Sequence, residues 1–284
     1  MRPEEGIGVL GTGTMGAGIV QLAAQSGYAV IACDSSVDAL ERAQLYVRRG
    51  MERFTEWGAF SEEEAEAHYG RIHWTTNAED LGETGTVIEA IVEKPGPKRE
   101  AFAALDALLP ADACIFTNTS SIPITDLASA TGRPGKVCGT HFFTPPPVRE
   151  AVEIPCGSST SEETLERAKS LVRSFGKEPV VVDGEVPGFV ANRFLIPMLL
   201  EACRLLEANA APKRDIDLLV KKGLGFPIGP FELGDFIGLD VALDVTSQVH
   251  EATGDPYYEP PKVLRDLVRS GNLGQKTGRG FYEY

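Results

Sequence analysis

Gly11-Thr12-Gly13-Thr14-Met15-Gly16 follows the short apolar run Ile7-Gly8-Val9-Leu10 and leads into a second one, Ala17-Gly18-Ile19-Val20. This order of residues constrains the fold more than any other segment, because it specifies a strand, a tight turn and a helix start within about twenty residues. The first glycine permits the turn, the second lets backbone approach a phosphate, and the third lets helix pack close on strand. The helix N-terminus then faces negative charge. A further apolar run, Tyr28 to Cys33, ends in Asp34. A carboxylate at that spacing accepts hydrogen bonds from a ribose and repels a 2′-phosphate. The segment therefore reads as a βαβ dinucleotide site with NAD preferred to NADP. Gly11, Gly13, Thr14, Met15, Gly16 and Asp34 are its candidate cofactor residues.

The chain has 284 residues, room for two domains. Its formal net charge of −14 argues against a nucleic-acid partner, since phosphate backbones are held by clustered Lys and Arg. Any polyanionic ligand must find local basic relief. The five cysteines are odd in number and scattered, with no CxxC pair, so neither a disulfide framework nor a metal site is expected. Reduced thiols suit a cytoplasmic protein. The few residues before Gly6 leave no room for a signal peptide, and no apolar run approaches the length of a membrane span.

After Asp34 a long helical stretch runs from about Val37 to Trp57, and Ser61-Glu62-Glu63-Glu64 has the capping pattern of a second helix ending near Tyr69. The pair is expected to protrude from the sheet as a helical hairpin. Strand-like runs follow at 71–75, 86–91, 113–118, 137–142, 151–155 and 179–182, with helical patterns at 98–109 and 161–175. Such alternation predicts a mostly parallel, doubly wound, Rossmann-like sheet. Beyond Pro187-Gly188 the pattern is helical throughout, beginning with an apolar helix over 189–209. The expected class is thus α/β followed by an all-α domain, divided as 1–185 and 186–284.

The chain has only four histidines. His68 lies on a Glu-rich helix, His73 in a short strand and His250 in a polar part of the helical domain, and each reads as a surface or structural residue. His141 instead closes an apolar strand, and the carboxyl ends of strands line the ligand crevice of a doubly wound sheet. Glu153 sits in the apolar run Ala151-Val152-Glu153-Ile154, where a carboxylate needs a partner. An imidazole proton would supply one, fixing the tautomer and balancing imidazolium charge. A core histidine satisfied by backbone, with an edge-strand glutamate, fits the same residues.

The chain resembles the L-3-hydroxyacyl-CoA dehydrogenases of the short bacterial 3-hydroxybutyryl-CoA dehydrogenase type. The resemblance rests on Ile88-Glu89-Ala90-Ile91-Val92-Glu93, Asn118-Thr119-Ser120-Ser121, His141-Phe142-Phe143, Val152-Glu153, Pro187-Gly188-Phe189 with Asn192-Arg193, Gly229-Pro230-Phe231-Glu232-Leu233, and Lys276-Thr277-Gly278 with Gly280-Phe281-Tyr282. It implies that His141 is the general acid/base, that Glu153 orients it, and that Ser120 and Asn192 contact substrate. Cofactor contacts carry over to Asp34, Glu93, Lys98, Ser120 and Lys276. An acyl-CoA thioester substrate, a place in β-oxidation and a homodimer are implied as well. From residue types alone, Ser120 and Asn192 also suit helix starts. With Asn192 in the second domain, the active site is expected to require both domains.

Two departures stand beside the resemblance. Thr144 replaces the family's usual Asn, and the following segment is Pro145-Pro146-Pro147-Val148-Arg149. Gly50 and Trp57 occupy positions where the family carries a Ser and a Lys for CoA. Arg42, Arg49 and Arg53 share one helical stripe, either a solvated face or a site for CoA phosphates. Arg49, Arg53 and Thr144 are therefore candidate substrate residues. Dehydrogenases of free hydroxy or sugar acids and a non-catalytic dinucleotide-binding protein are the competing readings. The apolar residues Phe189, Val190, Phe194, Leu195, Met198 and Leu199 exceed what one helical domain should bury, which also suggests a homodimer.

Overall fold

A computed structural model describes residues 6–284. Met1–Glu5, on which the expected lack of a signal peptide rests, lies outside them. The chain divides into two compact units, 1–185 and 186–284.

The first unit opens with β1 (Ile7–Leu10), α1 (Thr14–Gln25) and β2 (Val30–Cys33), then α2 (Val37–Glu56), α3 (Glu62–Tyr69) and β3 (Ile72–Thr75). β4 (Thr86–Glu89), α4 (Pro95–Leu108), β5 (Cys114–Thr117), α5 (Ile124–Ala128) and β6 (Val137–Gly139) follow. The six strands form one parallel sheet in the order β3-β2-β1-β4-β5-β6. That order reverses beside β1, which creates the crevice where doubly wound folds bind dinucleotides. β1, β2, β4, β5 and β6 are fully or largely buried and mostly apolar, as strands covered on both faces require, whereas the edge strand β3 buries only Ile72 and exposes His73.

α2 and α3 form the expected hairpin. Ser36 caps α2 by accepting from Ala39 N, and Ser61 and Glu64 complete a capping box at α3. Caps of this kind contribute about 1 kcal/mol each. The hairpin's base packs into the main core through Ala43, Val47 and Met51. Its tip, with Trp57 65% exposed, stands in solvent.

One expected strand divides in two. The run 137–142 splits into β6 and β7 (His141–Phe142), and β7 joins β8 (Ala151–Pro155) and β9 (Glu178–Val182) in a separate three-stranded sheet. Thr140 N makes the last bond to the large sheet, on Thr117 O. His141 and Phe142 then pair antiparallel with Glu153 and Val152. Pro145, Pro146 and Pro147 offer no N–H to extend that ladder. α6 (Glu162–Ser174) returns over both sheets, where Leu171, Val172 and Phe175 share one core with Ile19, Tyr28, Phe142 and Ile154.

The second unit contains α7 (Ala191–Glu207), α8 (Lys213–Leu218), α9 (Pro230–Ile237), α10 (Leu239–Thr253) and α11 (Lys262–Arg269). Its described β structure is limited to the isolated bridges Gly274 to Arg279 and Arg279 to Glu283. Leu199, Leu200 and Cys203 of α7 pack against Phe231, Leu239, Val245, Leu264 and Phe281. Two buried carboxylates fasten the C-terminal segment. Asp235 accepts from Phe281 N and Tyr282 N, each at 2.8 Å, and Asp217 accepts from Tyr282 Oη at 2.8 Å. Desolvation pushes the Asp217 carboxyl above its usual range, and the opposing bonds from Phe231 N and Tyr282 only partly offset it.

Candidate active site

The glycine-rich turn is shaped for a phosphate group. Gly11 has φ +93°, and a Cβ there would lie 2.7 Å from Ala90 O; a Cβ on Gly16 would lie 1.9 Å from Gly11 O. Only glycine therefore closes the turn and seats α1 against β1. Nothing lies within 4 Å of where a Gly13 Cβ would be, so the turn presents open backbone there. α1 has no side-chain cap at Gly13, which leaves its first N–H groups to an anionic ligand. The residues present thus fit a dinucleotide pyrophosphate.

Asp34 stands at the end of β2 and is tied to this turn. Its Oδ2 accepts from Thr12 N at 2.8 Å and Thr12 Oγ1 at 3.2 Å, while Oδ1 accepts from Ser36 N at 3.0 Å. These bonds orient a carboxylate at the edge where the ribose is expected. Thr14 and Met15 form the first turn of α1. Thr144 Oγ1 lies 3.0 Å from Met15 Sδ, so the hydroxyl faces the glycine-rich segment.

A buried ion network lies across β4 and β5. Lys98, 1% exposed, is 2.5 Å from Glu89 Oε1 and 3.3 Å from Glu93 Oε2. Glu89 also accepts from Thr117 Oγ1 and Ile91 N, both at 2.7 Å. Glu93 Oε1 accepts from Thr119 Oγ1 at 2.6 Å, Ser120 N at 2.8 Å and Ser121 Oγ at 3.1 Å. Burial works against the Glu93 carboxylate, but Lys98, the Thr119 hydroxyl and Ser120 N–H outweigh it and hold the carboxyl below its ordinary range. Two of the expected cofactor residues, Glu93 and Lys98, thereby brace the loop that carries a third, Ser120. Glu89 and Thr119 were not singled out from sequence. A carboxylate inside the apolar run 86–91, four positions before another, is the signal the sequence offers for Glu89.

His141 and Glu153 face each other across the β7–β8 ladder, with Nδ1 2.8 Å from Glu153 Oε2. Both are buried, and the Phe143 ring meets the imidazole edge-on at 4.9 Å. Asn118 Oδ1 accepts from Phe142 N at 2.9 Å, which fastens the histidine strand to the Ser120 loop. His141, Glu153, Asn118, Ser120, Glu93 and Lys98 belong to one hydrogen-bonded region. An imidazole held by a buried carboxylate can exchange a proton through its other nitrogen.

Comparison with known proteins settles the kinship. Residues 6–186 match the 3-hydroxyacyl-CoA dehydrogenase NAD binding domain, and residues 188–284 match the 3-hydroxyacyl-CoA dehydrogenase C-terminal domain. The chain belongs to the 3-hydroxyacyl-CoA dehydrogenase family. A 3-hydroxybutyryl-CoA dehydrogenase of Clostridioides difficile is 39% identical over 98% of this chain and 99% of its own. The crystal structure of Mycobacterium tuberculosis FadB2 superposes with a TM-score of 0.95 at 37% identity, covering 99% of each chain. That of (S)-3-hydroxybutyryl-CoA dehydrogenase from Ralstonia eutropha gives 0.91 at 38% identity, again over 99% of each. The chain is accordingly an NAD-dependent dehydrogenase acting on 3-hydroxyacyl-CoA.

The remaining candidates lie on α2 and in the second unit. Arg42, Arg49 and Arg53 are exposed along α2. Lys276 pairs with both carboxylate oxygens of Asp240 at 2.6 Å in the second unit. Asn192 is the second residue of α7. Among the described residues no helix is long and apolar enough to cross a membrane.

Proposed function

We propose that His141 is the general acid/base and Glu153 its orienting carboxylate in the interconversion of a short (S)-3-hydroxyacyl-CoA and its 3-oxoacyl-CoA. The observation that carries this reading is the 2.8 Å contact between His141 Nδ1 and Glu153 Oε2 inside a buried antiparallel ladder. When bound, NAD would supply the hydride acceptor for the carbinol carbon and, as NADH, the hydride donor for the reverse direction. With Nδ1–H given to Glu153, neutral His141 removes the hydroxyl proton through Nε2 and becomes imidazolium. Glu153 stabilises that charge without itself taking the proton. Ser120, on the loop braced by Glu93 and Lys98, contacts substrate and cofactor. Asp34 would hold the adenosine ribose and the first N–H groups of α1 the pyrophosphate; Asn192 and Lys276 of the second unit are proposed for substrate and cofactor respectively.

The exposed Arg49 and Arg53 side chains supply positive charge for CoA phosphates on an otherwise acidic protein. A short acyl chain agrees with the names of the C. difficile and R. eutropha relatives. A homodimer is proposed through the second unit, where Phe194 and Val190 remain exposed on the α7 side. Phe189 and Leu199, counted with them from sequence, are instead buried in the chain. Five free cysteines suit the proposed cytoplasmic location.

The deciding experiment follows NADH oxidation with acetoacetyl-CoA and with free acetoacetate in parallel. Turnover of the thioester alone supports the reading. Comparable turnover of the free acid would move it to the hydroxy-acid dehydrogenases.

A further inference from the structure

The ladder that joins His141 to Glu153 also aligns two thiols. Its register places Phe142 opposite Val152 and His141 opposite Glu153. Stepping back three residues on one strand and forward three on the other brings Cys138 opposite Cys156. The chains remain close there, although the ladder bonds have ended. A Cβ on Gly139 would lie 2.3 Å from Pro155 Cγ, and Cys138 Sγ is 3.6 Å from Pro155 O. The Cys138 and Cys156 side chains also hydrogen-bond each other, which brings together the two sulfurs that a disulfide would join. Cys138 is fully buried, whereas Cys156 is partly exposed. Both are reduced, and neither belongs to the dehydrogenase chemistry.

We propose that Cys138 and Cys156 form a peroxide-sensitive modification site that closes to a reversible disulfide between β6 and the end of β8, three residues along the chain from His141 and Glu153. Cys156 is the attacking group. Its thiolate breaks the O–O bond of hydrogen peroxide, giving a sulfenic acid and hydroxide, which takes up a proton to become water. The Cys138 thiol then attacks that sulfur, an S–S bond replaces the S–O bond, and a second water leaves. Two thiols are oxidised by two electrons and one peroxide is reduced. The division of roles follows exposure, and hydrogen bonding adds to it. The Cys138 thiol hydrogen-bonds Cys156, which favours ionisation of Cys156 below the ordinary thiol range. The same contact, together with burial, pushes Cys138 well above that range.

The test treats the reduced full-length protein with hydrogen peroxide, alkylates remaining thiols under denaturing conditions, and maps tryptic peptides without reduction. Trypsin separates the two cysteines at Arg149, so a disulfide joins peptide 137–149 to peptide 150–167. Expected is that linked pair, with the other three cysteines alkylated and full recovery of separate peptides after dithiothreitol. Cys156→Ser should leave Cys138 reduced, and Cys138→Ala should drive Cys156 to sulfinic acid. If wild type shows alkylated Cys138 beside over-oxidised Cys156, or a bridge to another cysteine, the proposal fails. The wild-type map decides the matter even if a variant does not fold. Turnover is not the readout, so an incorrect role for His141 would leave this result untouched.

Discussion

Asn118 Oδ1 accepts the backbone N–H of Phe142 at 2.9 Å, fastening the strand that carries His141 to the loop that carries Ser120. The bond joins the two sheets where β6 gives way to β7, beside His141, the proposed acid/base. Removing it leaves a partly buried N–H unpaired, at a cost of about 1–3 kcal/mol. Asn118→Ala is expected to lower kcat by roughly tenfold or more while NADH affinity changes less, since misplacing a base affects the reaction step first. Stopped-flow turnover with NADH fluorescence titration checks this. An unchanged kcat in a folded variant would show that the fastening is dispensable.

His141→Gln should bind NADH and lose about two to four orders of magnitude in turnover, the usual contribution of a positioned general base. Glu153→Gln keeps a hydrogen-bonding side chain but removes the negative charge, so its pH–rate profile should shift as well as fall. Superimposable profiles for wild type and Glu153→Gln would refute the pairing.

Asp34 already accepts Thr12 N, Thr12 Oγ1 and Ser36 N, so its substitution loosens the turn as well as removing the proposed ribose acceptor. Asp34→Ser should narrow the preference for NADH over NADPH, mainly by weakening NADH. Equal discrimination before and after the change, measured as the ratio of kcat/KM values, would place ribose recognition elsewhere.

Glu93 gives stability a defined pH dependence. Its folded carboxyl titrates below the ordinary carboxylate range of about 4.3, because Lys98, Thr119 and Ser120 outweigh the penalty of burial. Folding thus gains from this group above about pH 4.3, and the gain disappears as pH falls through the lowered folded value. Thermal melts should show a steeper loss below about pH 4.3 for wild type than for Glu93→Gln. Parallel acid limbs for the two proteins would contradict the assignment.

The Thr144 hydroxyl meets a thioether, a weak acceptor. Thr144→Val should therefore change KM for NADH only a few-fold, acting through Met15 and the glycine-rich turn. A loss of a hundredfold in kcat would mean that the hydroxyl serves the reacting atoms.

The dinucleotide turn, the position of Asp34, the helical hairpin and the helical character of the second unit were all legible in the sequence. Each depends on local rules: glycine at a turn a Cβ would obstruct, a capping box at Ser61 and Glu64, a change from alternating to helical periodicity. His141 and Glu153 were also nameable, since a polar residue in an apolar run announces a partner. Tertiary structure decided which partners were met. The break at Thr140 depends on the end of the Thr117 contact and the start of pairing with β8, a competition between segments distant in sequence. Burial of Lys98 between Glu89 and Glu93, and the opposition of Cys138 and Cys156, have the same origin. Local sequence sets what each segment can do alone, whereas charge neutralisation and strand register depend on which segment packs beside it.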